Sequence, residues 1–275
     1  MIIHIRILLI ATALMMMQGC TGLIVNTLAF HPQTYQEGDY VLLDEQIKEV
    51  EFITQDGLRL HSFYFPYSEE APMVIYFHGN AGNALHRLNP ARRLAETGAN
   101  VLLVGYRGYG RSQGRPSEKG LYLDAQAAIN YVVEDLGFKK EDVFLLGQSL
   151  GSAIAIDAAQ HQKLGGLILI TPFPSGYAVM EERGLGWLSL FVRGSPFDSA
   201  AKLPHLKTPA LFVIAEHDKT ITPAMSRTLF NAYPSQDKSL MIIPGAGHND
   251  IFSISGPQIW SRLAAFVHSS FKKEM

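Results

Sequence analysis

The run Gly147-Gln148-Ser149-Leu150-Gly151 reads G-x-S-x-G, behind the apolar stretch Val143–Leu146 and ahead of the small-residue stretch Ser152–Ala155. Strand, sharp turn and helix are the context in which such a serine becomes a nucleophile. The turn strains the serine and projects its hydroxyl from the C-terminal edge of the sheet, and the flanking glycines are expected to keep its approach open. The chemistry is attack on an acyl carbonyl. That chemistry needs a base to take the hydroxyl proton and a carboxylate to orient the base.

Around such an elbow the partners follow in the order serine, acid, histidine. The apolar stretch Ala210–Ala215 runs into Glu216-His217-Asp218-Lys219-Thr220. The next, Ser239–Ile243, runs into Pro244-Gly245-Ala246-Gly247-His248-Asn249-Asp250. Asp218 and His248 therefore fall just past two strand ends, at the edge where open α/β sheets carry their active sites. Glu216 and Asp250 compete for the role of the acid. Asp218 is favoured because Thr220-Ile221-Thr222-Pro223 reads as a turn opening a helix. Of the ten histidines, His4, His31, His61, His86, His161 and His268 have no matching carboxylate and read as ordinary surface or edge residues.

Acyl transfer also needs donors for the developing oxyanion. One is the N–H after the nucleophile, that of Leu150. The second belongs on the loop after an earlier strand. Met73–Phe77 is such a strand, and it enters His78-Gly79-Asn80-Ala81-Gly82-Asn83, which nominates the N–H of Asn80. His78 has no partner at metal-ligand spacing such as H-E-x-x-H, so its expected role is to hold this loop. No metal and no cofactor are expected.

These residues need a scaffold of strands alternating with helices. Gln46–Thr54 and Leu58–Phe65 read as strands joined at Asp56-Gly57. Helices are expected near Pro90–Thr97, over Leu121–Leu136 and over about Pro257–Phe271, with a buried strand at Val101–Tyr106. The alternation predicts an α/β fold with a mainly parallel sheet and helices on both faces. Between about 172 and 203 the pattern breaks into a Gly- and Pro-rich insert, expected as a short cap over the pocket. Within it Trp187, Leu188 and Phe191 are candidates for an acyl groove or membrane contact, or for packing of a short helix.

Taken together, His78–Asn83, Tyr106-Arg107-Gly108-Tyr109-Gly110-Arg111-Ser112, the serine elbow, Glu216-His217-Asp218 and Gly247-His248 make the chain resemble the α/β-hydrolase fold. Within that fold it is similar to the Bem46-like group of membrane-associated hydrolases, over about residues 40–270. The resemblance implies hydrolase chemistry and leaves the substrate open. It departs at Gly105, where relatives often carry Asp or Asn, which puts one local hydrogen bond in doubt.

At the N-terminus, Arg6 precedes the apolar run Ile7–Met17 and then Gln18-Gly19-Cys20. A basic start, an apolar core and a small residue before the cut describe a signal peptide over residues 1–19. Cys20, the only cysteine, then stands where a bacterial lipoprotein carries its lipid. The rival is an uncleaved anchor, since no Asp, Glu, Lys or Arg occurs between Arg6 and Glu37 and roughly 20 apolar residues span a bilayer. In both readings residues 20–39 are a membrane-proximal tether and 40–275 the hydrolase domain. Both put that domain in the bacterial cell envelope on the non-cytoplasmic side, because positive charge stays inside. With net charge −2 and pI about 6.5 the chain has no basic surface for nucleic acid.

The expected activity is serine-dependent cleavage of an ester or thioester with a small-molecule or lipid-like acyl group. A serine aminopeptidase is the alternative. It needs an acidic patch for the substrate's amine, for which Glu181-Glu182 is the local candidate. A binding module on the same fold is the other, since fold does not fix function.

Overall fold

Among the residues that the computed structural model describes (24–36, 38, 43, 45–192 and 194–271), eight strands build one sheet. They are β1 (Lys48–Ile53), β2 (Arg59–Phe65), β3 (Met73–Phe77), β4 (Asn100–Leu103), β5 (Val143–Gln148), β6 (Gly166–Ile170), β7 (Ala210–Ala215) and β8 (Lys238–Ile243). Their spatial order is β8-β7-β6-β5-β3-β4-β2-β1. Strand β2 is antiparallel to both β1 and β4, and the other pairs are parallel.

Strands β3, β4, β6 and β7 are buried from end to end. They read as unbroken apolar runs because helices cover both faces of the sheet. Alternation along β3 sends Met73, Ile75 and Phe77 to one face and Val74 and Tyr76 to the other. On the first face lie α2 (Glu118–Asn130), α3 (Leu150–Ala158) and α5 (Pro223–Ala232), contributing Leu121, Ile154 and Leu229. On the second lie α1 (Leu88–Ala95) and α6 (Pro257–Phe271), contributing Leu88 and Leu263. The expected α/β architecture is present.

Local departures have local causes. Helix α2 begins three residues before its first apolar position because the Ser117 hydroxyl caps it, accepting from the Gly120 N–H. It ends in a π turn over Tyr131–Asp135 rather than running on as α-helix. The insert folds as α4 (Gly176–Glu182) and a 3₁₀ turn over Gly186–Phe191.

His61 is not the surface residue that linear spacing suggests. It is buried, with Nε2 2.6 Å from the Glu49 carboxylate and Nδ1 3.1 Å from the Tyr35 hydroxyl. Its carboxylate comes from antiparallel pairing with β1, which spacing along the chain does not reveal. At Gly105, a Cβ would press on the His61 carbonyl oxygen of β2. An Asp or Asn side chain has no room there. Ser62 Oγ accepts from the Gly105 N–H at 3.0 Å, and Ser112 Oγ donates to its carbonyl at 2.9 Å.

Arg107 locks the loop after β4. Its Nε donates to buried Asp124 of α2 at 2.8 Å, and its other end donates to Asp56 in the β1–β2 turn at 2.8 and 2.9 Å. The guanidinium holds the Asp56 carboxyl well below the usual carboxylate range.

The expected signal peptide, and Cys20 with it, lie outside the described residues. Of the expected tether, residues 24–29 are helical and His31–Pro32 pairs in parallel with Ala81–Gly82. Phe30 between them is buried in the domain's core. Among the described residues no helix is long and apolar enough to cross a membrane.

Candidate active site

Ser149 sits between β5 and α3 at φ +53° and ψ −119°, a conformation that favours glycine. Such strain costs on the order of 1–3 kcal/mol and persists only where surrounding structure enforces it. Here the enforcement is close packing. A Cβ on Gly151 would meet the Phe77 carbonyl oxygen, and one on Gly147 would meet the Gly151 carbonyl oxygen. The two glycines let α3 press onto the strand ends. They face backbone, so their purpose is this approach rather than the open access expected from the motif.

The three residues predicted from strand ends come together. His248 Nε2 lies 3.0 Å from Ser149 Oγ, and His248 Nδ1 lies 2.6 Å from Asp218 Oδ2. Asp218 has no exposed side-chain surface. Its second oxygen accepts the N–H groups of Thr220 and Ile221 at 2.7 and 2.8 Å. With one oxygen fixed by backbone, the other can only face the imidazole. The rival acids are engaged elsewhere: Glu216 accepts from the Gly245 N–H at 2.9 Å, and Asp250 from the Gly247 N–H at 2.6 Å.

Leu150 is the first residue of α3, so its N–H has no intrahelical acceptor. Asn80 follows β3, and both Asn80 and Leu150 line one cavity with Ser149 and His248. His78 holds the loop, as expected. Its Nδ1 lies 2.7 Å from the Gly79 carbonyl oxygen, so that nitrogen carries the proton. Burial pushes its pKa down to about 3, which keeps the ring neutral.

Two further braces were not assigned from sequence. Tyr106 donates its hydroxyl to the His78 carbonyl at 2.9 Å, and Tyr109 donates to the Asn80 carbonyl at 2.7 Å. Both come from the Tyr-Arg-Gly-Tyr-Gly stretch. Their three-residue spacing was the available signal, since a turn can aim both rings at one neighbouring loop.

The cavity holds about 310 Å³. Phe173, Val179, Met180, Leu185 and Phe197 form its apolar wall on the cap side. Trp187, Leu188 and Phe191 do not line it. Trp187 and Phe191 are 61% and 47% exposed and meet each other edge to face. The cap does border the pocket, but through α4 and Leu185 rather than through the predicted aromatic run, which the 3₁₀ turn directs outward. Glu181 and Glu182 are exposed, and among the described residues no Asp or Glu lines the cavity. Among the described residues no group of three or more His, Cys, Asp or Glu side chains could hold a metal ion.

The family model described as "Serine aminopeptidase, S33" (Hydrolase_4) matches residues 68–193 and 185–252. Protein bem46 of Schizosaccharomyces pombe is 34% identical over 216 residues, covering 74% of this chain and 72% of that protein. An uncharacterized protein of Mycobacterium tuberculosis (strain H37Rv) is 32% identical over 223 residues, covering 80% of this chain and 79% of the other. The Pyrococcus furiosus esterase Pf2001 superposes with a TM-score of 0.70 at 20% identity, over 88% of this chain and 99% of that one, a likeness of fold. The chain is a hydrolase of the α/β-hydrolase fold and belongs to the Hydrolase_4 family, within its Bem46-like group.

Proposed function

We propose that this protein is a serine hydrolase that cleaves carboxylic ester or thioester bonds through an acyl-enzyme. The observation that carries this reading is a largely apolar cavity, lined by Arg183 but by no carboxylate among the described residues, opening onto Ser149 beside His248. An acyl chain suits such a wall. A free α-amine finds no counter-charge in it, which disfavours the aminopeptidase alternative.

The steps follow from the distances. Ser149 Oγ attacks the carbonyl carbon while its proton passes to His248 Nε2. Asp218 accepts from His248 Nδ1–H, which fixes the tautomer and favours the imidazolium as it forms. The oxyanion takes the N–H groups of Leu150 and Asn80. On collapse the imidazolium returns its proton to the leaving alcohol or thiol. A water, deprotonated by the same nitrogen, then releases the acid.

A panel of p-nitrophenyl esters of increasing chain length, beside aminoacyl p-nitroanilides, tests the reading. Each buried methylene contributes about 0.8 kcal/mol, roughly fourfold in kcat/KM. Medium-chain esters should therefore exceed acetate, with aminoacyl substrates turned over far more slowly. Preference for the aminoacyl series would move the assignment to an aminopeptidase.

The cellular setting is proposed from sequence: attachment to the bacterial envelope through a lipid on Cys20, with the domain on the non-cytoplasmic side. Mass spectrometry of the mature N-terminus should find a lipidated Cys20. An intact Met1 start without the adduct would favour the uncleaved anchor.

A further inference from the structure

We propose that residues 25–33, the stretch that the sequence presents as a spacer, are a substrate-binding strap that forms one wall of the acyl pocket. The proposal rests on the acyl-hydrolase reading for its ligand class, a medium-chain acyl group. Val25, Leu28 and Ala29 line the cavity that holds Ser149 and His248. Their spacing of three and four puts them on one face of the helical segment 24–29. They share the cavity with Met180, Val179 and Phe197, so its apolar lining comes from two distant parts of the chain.

The strap is fastened at several points. The His31 N–H donates to the Asn80 carbonyl at 3.1 Å, and the Gln33 N–H donates to the Gly82 carbonyl at 3.0 Å. The Gln33 carbonyl in turn accepts from the Gly110 N–H at 2.9 Å. Phe30 is buried and meets Phe197 edge to face, with ring centroids 6.0 Å apart. One short segment thus joins the loop that carries Asn80 to the cap residue that lines the pocket. A mere spacer needs neither a backbone ladder nor a buried aromatic anchor. An apolar face aimed at the nucleophile's cavity is what an acyl chain would contact.

The test uses the full-length chain and two variants. Leu28→Trp fills the cavity from the strap side, and the double variant Val25→Ala/Leu28→Ala strips the wall. Both positions are only half-buried, so neither empties the core. Binding of dansyl-undecanoic acid is read by fluorescence, independently of turnover. Hydrolysis of octanoate and acetate esters and labelling of Ser149 by a small fluorophosphonate are measured alongside. We expect each variant to weaken the dansyl probe by about tenfold, the scale of losing a few buried methylene contacts. The octanoate-to-acetate ratio should fall similarly, with fluorophosphonate labelling reporting how far Ser149 itself stays accessible. Probe affinity and ester ratio both at wild-type values in the two variants would overturn the strap. Wild-type protein that takes no label and cleaves no ester would instead sink the acyl-hydrolase reading. Probe binding would still decide the strap in that case, since weakening by Leu28→Trp supports it and unchanged affinity refutes it.

Discussion

His78 and Gly79 are joined by a hydrogen bond in which the buried imidazole Nδ1–H donates to the neighbouring carbonyl at 2.7 Å. That carbonyl belongs to the same planar trans peptide as the Asn80 N–H. The two bonds lie in that plane and point in opposite directions, so fixing the C=O aims the N–H the other way. A buried ring that does not line the cavity thereby sets the direction of the N–H proposed as an oxyanion donor. The ring's Nε2 is buried and has no hydrogen-bond partner among the described residues.

The first prediction concerns this positioning residue. His78→Ala should lower kcat by up to about 10²–10³, the scale of losing one oxyanion donor. KM should stay near wild type, because the donor acts on charge that develops only in the transition state. A raised KM at unchanged kcat would mean that His78 shapes substrate binding instead.

A pH dependence of stability follows from the same burial. The His78 pKa is about 3 in the folded protein and near 6.5 when unfolded, so the unfolded chain binds the extra proton. Stability is complete above about pH 6.5 and falls as pH drops from there towards 3. Between pH 7.5 and 5 the loss from this group is about 2 kcal/mol. Buried His61, whose pKa is also lowered, acts in the same direction. Asp56, held low by Arg107, costs stability only in stronger acid. Burial raises Asp124 to about 6, which acts the other way in both proteins, so urea unfolding should show His78→Asn gaining stability relative to wild type as pH falls across this range. An unchanged slope in the variant would contradict a neutral buried ring.

Asp218 and Glu216 provide a paired test. Asp218→Asn should lower kcat by about 10⁴, because the amide supports the wrong imidazole tautomer. Glu216→Gln should leave turnover near wild type, since that carboxylate serves the Gly245 turn. The reverse pattern would reassign the acid.

The fold and the meeting of Ser149, His248 and Asp218 were legible because each signal is local. Apolar runs mark the strands, and a strand end fixes the sheet edge at which Ser149, Asp218 and His248 must meet. What lay beyond reach was pairing across the chain. Glu49 reaches His61 only through strand register, and Tyr106 and Tyr109 reach the oxyanion loop only once β3 and β4 are neighbours. Trp187 and Phe191 do not line the cavity, because an apolar run shows that a surface exists without showing which way it faces. The lining residues Val25, Leu28 and Ala29 were hidden because they continue the apolar run at the N-terminal end of the sequence and share its composition.

If Ser149 is an acyl-accepting nucleophile, a fluorophosphonate should label the wild-type protein there. Peptide mass spectrometry should find a single adduct on the peptide bearing Ser149, and Ser149→Ala should lower kcat for p-nitrophenyl octanoate by about 10⁴–10⁶. An unlabelled Ser149, or a Ser149→Ala variant that turns over ester at a rate close to wild type, would contradict that role.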